Sequence, residues 1–160
     1  MSRINYDESM DDGALALQMG REVQTIRGKR SRAFLRELEG YLLEMHPKRL
    51  IEGQLCDDEG EVCALGLPLR ERMVRLEGMS YAEAAAMIRT KFGDCDEAEY
   101  GVTAEVTAEL GISKTLGWLV VEANDDEGMW PHRTPEERWK YVLRQVRKML
   151  EGKPPVDRLP

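Results

Sequence analysis

Thr134-Pro135-Glu136-Glu137-Arg138-Trp139 is the stretch whose reading settles the character of the fold. Thr134 can cap a helix with its hydroxyl. Pro135 suits the first helical position, where its missing N–H has no intrahelical partner to lose, and Glu137 stands three residues after the cap, completing a capping box. Behind this start Trp139, Val142, Leu143, Val146 and Met149 recur at helical spacing, while Arg144, Gln145 and Lys148 turn away from them. The pattern is that of an amphipathic helix laid on a core.

Working outward, the same punctuation recurs. Ser113 starts a helix lined by Ile112, Leu116, Leu119, Val120 and Ala123, and Asn124 to Gly128 breaks it, with Asn124 and Gly128 as residues that tolerate the left-handed conformation after a helix. Val102 to Leu110 reads as a helix despite its β-branched residues and closes at Gly111. Ser80-Tyr81-Ala82-Glu83 is a second capping box, followed by a strong helix former up to Gly93. Gly66-Leu67-Pro68 opens a helix that runs to about Glu77 and stops at Gly78. Ser31 opens one on which Phe34, Leu38, Tyr41, Leu42 and Met45 form a stripe, ended by His46-Pro47.

Leu50 to Leu65 differs, because short apolar pieces flank Asp57-Asp58-Glu59-Gly60-Glu61. A two-residue turn at Glu59-Gly60 would make a hairpin with Cys56 facing Cys63. The expected architecture is therefore mostly α: a compact bundle of five or six helices with a small β-hairpin after the first main helix. Residues 1–22 read as a flexible acidic arm with one helical turn or two around Ala14 to Leu17, 23–152 as a single helical domain and 153–160 as a tail. Phe34, Leu38, Leu42, Leu65, Leu116, Leu119, Trp139, Val142 and Val146 are the candidate core.

A chain of 160 residues fits one domain with a sizeable core, and 42% apolar with 33% charged residues places it among soluble globular proteins. No apolar run approaches membrane-spanning length, and Met1 to Gly20 lacks a basic start followed by an apolar stretch, so the cytoplasm is the expected location. Cys56, Cys63 and Cys95 form an odd set without a CxxC pair, which argues for reduced thiols and against a disulfide framework or a standard zinc site. No cofactor and no metal are expected.

The net charge of -7 hides a segregation along the chain. Residues 51–127 carry 18 acids against 6 bases, residues 21–50 carry 8 bases against 4 acids, and Arg138 to Lys148 contains five bases and no acid. Either the basic helices and the acidic middle neutralise one another across the fold, or the protein presents a basic face to one partner and an acidic face to another.

Chemistry leaves few marks. There is no GxSxG or HExxH, and neither His46 nor His132 sits in a triad context, so an enzyme would need a site assembled from distant residues. Glu77 to Ala85 resembles the first helix of helix-turn-helix modules in sigma-factor-like DNA-binding domains, which makes a regulator built around residues 77–92 an alternative. Yet Asp94, Asp96, Glu97 and Glu99 follow where phosphate contacts are needed. The loop Gly128-Met129-Trp130-Pro131-His132-Arg133 offers an aromatic residue beside Met and Arg, the composition of a protein-binding hot spot or of an anchor folded onto the last helix. Trp130, Met129, Arg133, Asp125, Asp126 and Glu127 are the candidate interaction residues.

Taken together, Arg49 to Cys56, Cys63-Ala64-Leu65-Gly66, Asn124-Asp125 and Thr134 to Trp139 resemble a family of small uncharacterised proteins from bacteria and their phages. Those share a Cys-Ala-Leu-Gly segment, an Asn-Asp pair and a closing Thr-Pro-Glu-Glu-Arg-Trp helix. The resemblance spans residues 30–150, less well over 70–111, and implies a phage or prophage setting without an activity. It singles out Cys63, Gly66, Asn124, Asp125, Arg138 and Trp139 as a shared framework. The expected function is a small acidic, non-enzymatic protein that binds a host or phage protein, such as a modulator of host machinery or defence, an inhibitor or a nucleic-acid mimic. DNA binding and an unrecognised enzyme are the alternatives.

Overall fold

The chain's computed structural model describes residues 12–93, 99–125 and 133–154. Seven helices account for most of them: α1 (Asp12–Arg27), α2 (Lys29–Glu44), α3 (Gly66–Glu77), α4 (Tyr81–Phe92), α5 (Glu99–Leu110), α6 (Lys114–Asp125) and α7 (Pro135–Leu150). Both capping boxes form. The Ser80 hydroxyl accepts from Glu83 N–H while the Glu83 carboxylate takes Ser80 N–H, and Thr134 and Glu137 repeat the exchange. Gly78 ends α3 in the left-handed region, at φ 71°, which only glycine enters without a steric penalty.

α2 and α7 pack most extensively on each other, and α3 with α4 and α6 with α7 are the next closest pairs. The shared interior takes Phe34, Leu38 and Leu42 from α2, Leu67 and Leu69 from α3, Ile88 from α4, Leu116 and Leu119 from α6 and Val142, Val146 and Met149 from α7. Each such side chain, once fully buried, contributes about 1.5–3 kcal/mol of transfer free energy. Trp139, counted with the core from sequence, is half-buried at its edge and donates its indole N–H to Leu42 O at 2.9 Å.

Four expectations need correction. Within the segment 1–22 expected as an arm, residues 12–22 are helical, the first part of α1, and α1 sends Glu22 and Ile26 into the interior; residues 1–11 lie outside the described residues. The hairpin is absent: Cys56 and Val62 form one isolated antiparallel bridge, and no strand occurs among the described residues. Asp57 decides this, since its Oδ1 accepts from both Glu59 N–H and Glu61 N–H at 2.9 Å, fixing a wider loop over residues 58–60. The register therefore slips by one residue, so that Cys56 faces Val62 rather than Cys63, and both cysteines are buried.

The remaining two concern polar residues. Gln145, expected on the outer face of α7, is 2% exposed. Asn124, expected as a left-handed stop, is 3% exposed inside α6, and no non-glycine residue adopts a positive φ among the described residues. Its side chain is recruited inward by the loop that follows α2.

Candidate functional site

Three features gather the chain's polar chemistry, and the first is a buried knot. Asn124 Oδ1 accepts from Ala64 N–H at 2.9 Å, and its Nδ2 donates to Ile51 O at 2.9 Å and to Asp125 Oδ1 at 2.7 Å. Asp125 Oδ1 also accepts from Gly53 N–H at 3.4 Å. Arg138, 5% exposed, donates to Leu50 O and Arg133 O and pairs with Glu52 at 3.1 Å. The 50–53 loop has almost no ladder of its own, so these side chains from α6 and α7 satisfy its backbone groups. Burial pushes the Asp125 carboxyl above its ordinary range, against the lowering by Asn124, Gly53 and Arg138.

Gly66 completes this corner. A Cβ there would stand 2.0 Å from Leu55 O, so the start of α3 approaches the preceding loop as only glycine allows, and Gly66 N–H donates to Cys63 Sγ at 3.3 Å. The residues singled out by the family resemblance thus meet around two junctions, Asn124, Asp125 and Arg138 on the loop and Cys63 with Gly66 at α3. Trp139 ties α7 to the end of α2. All are engaged in holding the fold.

The second feature is a cleft of about 440 Å³ between the end of α2, the 59–60 loop, α3 and the start of α4. Glu71, 3% exposed, lies deepest; its oxygens accept from Arg70 Nη2 and Arg75 Nε at 3.2 Å and from Tyr81 Oη at 3.3 Å. Arg70 also lies over the Tyr81 ring and Arg75 over the Tyr41 ring. The Arg70 Nε has no hydrogen-bond partner among the described residues. Both oxygens of the one buried carboxylate here are held by cationic or phenolic donors, which suits a rigid polar floor better than a proton acceptor.

The third feature is a surface. Lys29, Arg30 and Arg36 on α2 and Lys140, Arg144 and Arg147 on α7 are exposed, and the two helices are neighbours. Arg147 pairs with Glu39 across them at 2.9 Å, whereas Lys29, Arg30, Arg36, Lys140 and Arg144 have no carboxylate partner among the described residues. Basic segments that are about a hundred residues apart in sequence are brought side by side, and few of their charges are spent on the acidic middle. Arg72 with Glu37 and Arg75 with Glu44 are the places where α2 and α3 do neutralise each other.

Of the candidate interaction residues, Asp125 belongs to the knot, and Arg133 stacks 3.7 Å from the centre of the Tyr141 ring. Asp126, Glu127, Met129 and Trp130 lie outside the described residues, as do Cys95 and His132. Sequence reasoning missed the Glu71 cleft, whose partners come from four separate segments and leave no local spacing to read. It read the run of five bases from Arg138 to Lys148 and a candidate basic face, but did not resolve the outer stripe Lys140, Arg144, Arg147 at i, i+4, i+7. Around α4, the helix-turn-helix reading meets an α5 whose sequence, Glu99–Leu110, holds three acids and no Lys or Arg to face phosphate.

No group of three or more metal-ligating side chains occurs among the described residues. None of the described helices is long and apolar enough to cross a membrane. No family model, no curated protein and no solved structure matches the chain.

Proposed function

We propose that this chain is a non-enzymatic protein-binding module whose working part is its charge-sorted exterior. The observation that carries this reading is the juxtaposition of the basic outer faces of α2 and α7 in a protein of net charge -7. Cations left without partners on neighbouring helices cost folding stability through mutual repulsion, and an opposing acidic surface removes that cost on association. The setting, a phage or prophage protein acting on host machinery or defence, rests on the sequence resemblance alone. Affinity purification of the tagged chain from bacterial lysate, with quantification of co-purifying proteins, tests it. A stoichiometric partner is expected, and recovery of the chain alone across several candidate hosts would remove the reading.

The Glu71 cleft supports a second reading, a small-molecule site or enzyme, because convergent titratable groups in a concavity are what such a site requires. Thermal-shift measurement against a metabolite set tests it. Stabilisation that is lost in Arg70→Lys would favour this reading over the first.

A further inference from the structure

The outer face of α7 is not flat. Lys140, Arg144, Arg147 and Lys148 border a groove of about 440 Å³ whose apolar members are half-buried Trp139 and Leu143, 8% exposed. Among the described residues Glu151 is the one acid on its lining, and its carboxylate is already paired with Lys153 at 3.3 Å. On α2, next to the Leu42 carbonyl that receives the Trp139 indole, Leu43 is 44% exposed. Trp139 and the edge of Leu143 thus give the groove an apolar wall inside a border of cations, with Leu43 outside its lining.

We propose that this groove takes a short acidic segment of a partner protein, with one large apolar side chain set against Trp139 and Leu143 and carboxylates against Lys140 and Arg144. The inference rests on the protein-binding reading and names the chemistry of its partner. Two arguments select an acidic peptide over nucleic acid. First, α7 is 16 residues long, about 24 Å at roughly 1.5 Å per residue, and charges interact over a Debye length of about 8 Å at physiological salt. A short segment stays within reach of the cations, whereas a duplex extends past the face towards a molecule whose remaining charge is strongly negative.

Second, the described residues of the groove offer no open aromatic platform for stacked bases. The Trp139 ring is half-buried and has the Lys48 ammonium 5.0 Å from its centre, and the Tyr141 ring has Arg133 at 3.7 Å and Arg144 at 5.4 Å. An aliphatic or phenyl group needs only the concavity and its apolar wall. Arginine borders such a site well, because its planar fork pairs bidentately with carboxylates.

The test is fluorescence anisotropy on the full chain with a labelled twelve-residue peptide of Asp and Glu around one central Phe. Its arms are the same peptide with Ala for Phe, and an oligothymidylate of equal charge. Saturable binding of the Phe peptide is expected, weakened about tenfold or more by the Ala replacement and by the double variant Lys140→Glu/Arg144→Glu, and unchanged in Lys114→Glu. Should the double variant lose its helical circular dichroism, Lys140→Gln/Arg144→Gln replaces it. Absence of saturable binding, equal binding of the Ala peptide, indifference to the double variant or tighter binding of the oligonucleotide each overturn the inference. A lysate complex that survives the double variant overturns the inference alone and leaves the protein-binding reading standing. No lysate complex together with no peptide binding overturns both.

Discussion

The side-chain oxygen of Asn124 accepts the amide hydrogen of Ala64 at 2.9 Å, linking the end of α6 to a loop sixty residues earlier. The same amide group donates to Ile51 O, so one residue satisfies two backbone groups on either side of the Cys56–Val62 bridge. Replacing it with Ala leaves the buried Ala64 N–H and the part-buried Ile51 carbonyl without this partner. A loss of roughly 2–4 kcal/mol is expected in urea denaturation, since each buried polar group left unsatisfied costs about 1–3 kcal/mol. A loss under 1 kcal/mol would show that the loop finds other partners.

Gly66→Ala is expected to destabilise by about 3 kcal/mol or more, at the upper end of the overpacking range. The added methyl would meet backbone, Leu55 O at 2.0 Å, which cannot swing aside as a side chain can. Gly40→Ala is the control: nothing lies within 4 Å of a Cβ there, and its helical position predicts a neutral or favourable change. Equal melting temperatures for the two variants would contradict the close approach.

Asp125 and Glu37 should give opposite pH signatures. Burial raises the Asp125 carboxyl, so the native state holds the proton more tightly than the unfolded chain does. That contribution is complete below the ordinary carboxylate range and is lost as pH rises through the raised native value. Asp125→Asn, which keeps an oxygen for Gly53 and Asn124, is expected to match or exceed the native chain in stability at pH 7 and to lose any advantage towards pH 4.

The Glu37 carboxyl is lowered, chiefly by its hydrogen bonds from Arg72. Its contribution is present above the ordinary carboxylate range and is lost as pH falls through the lowered native value. Glu37→Gln is therefore destabilising at pH 7 and near neutral in strong acid. Denaturation midpoints at pH 7 and pH 4 for the Asp125 variant, extended below pH 3 for the Glu37 variant, check both signs.

Removing Glu71 should cost more than removing any other carboxylate in the described residues. It is 3% exposed and holds Arg70, Arg75 and Tyr81, so Glu71→Ala leaves the largely buried Arg70 without its carboxylate beside a cavity, at a cost of about 3 kcal/mol by analogy with broken buried pairs. Glu44→Ala, which removes a 61% exposed partner of Arg75, is expected to change stability by less than about 1 kcal/mol. Comparable losses in the two variants would mean that the cleft is wetter than its geometry implies.

Helix boundaries were the legible part. Ser80 with Glu83, Thr134 with Glu137, Gly78, Gly93 and Gly111 punctuate the chain through contacts with residues at most five away, so their effect is carried by composition at fixed offsets. The stripe from Phe34 to Leu42 was legible for the same reason, the helix itself bringing i and i+4 together. α1 was not, because its sequence has a weak apolar stripe and residues such as Ile26 are buried by neighbours rather than by its own periodicity.

What the sequence determined by itself is where most of the helices lie, α1 excepted, together with how the charges are sorted along the backbone. Only the tertiary structure decided which faces meet. It turned Asn124 and Gln145 inward, slipped the Cys56 register by one residue, drew the end of α2 and the 59–60 loop around Glu71, and packed α2 against α7 with exposed cations on both. The physical reason is range: caps and periodicity act within a turn or two, whereas burial of a polar group or the pairing of a charge depends on partners that sequence spacing does not specify.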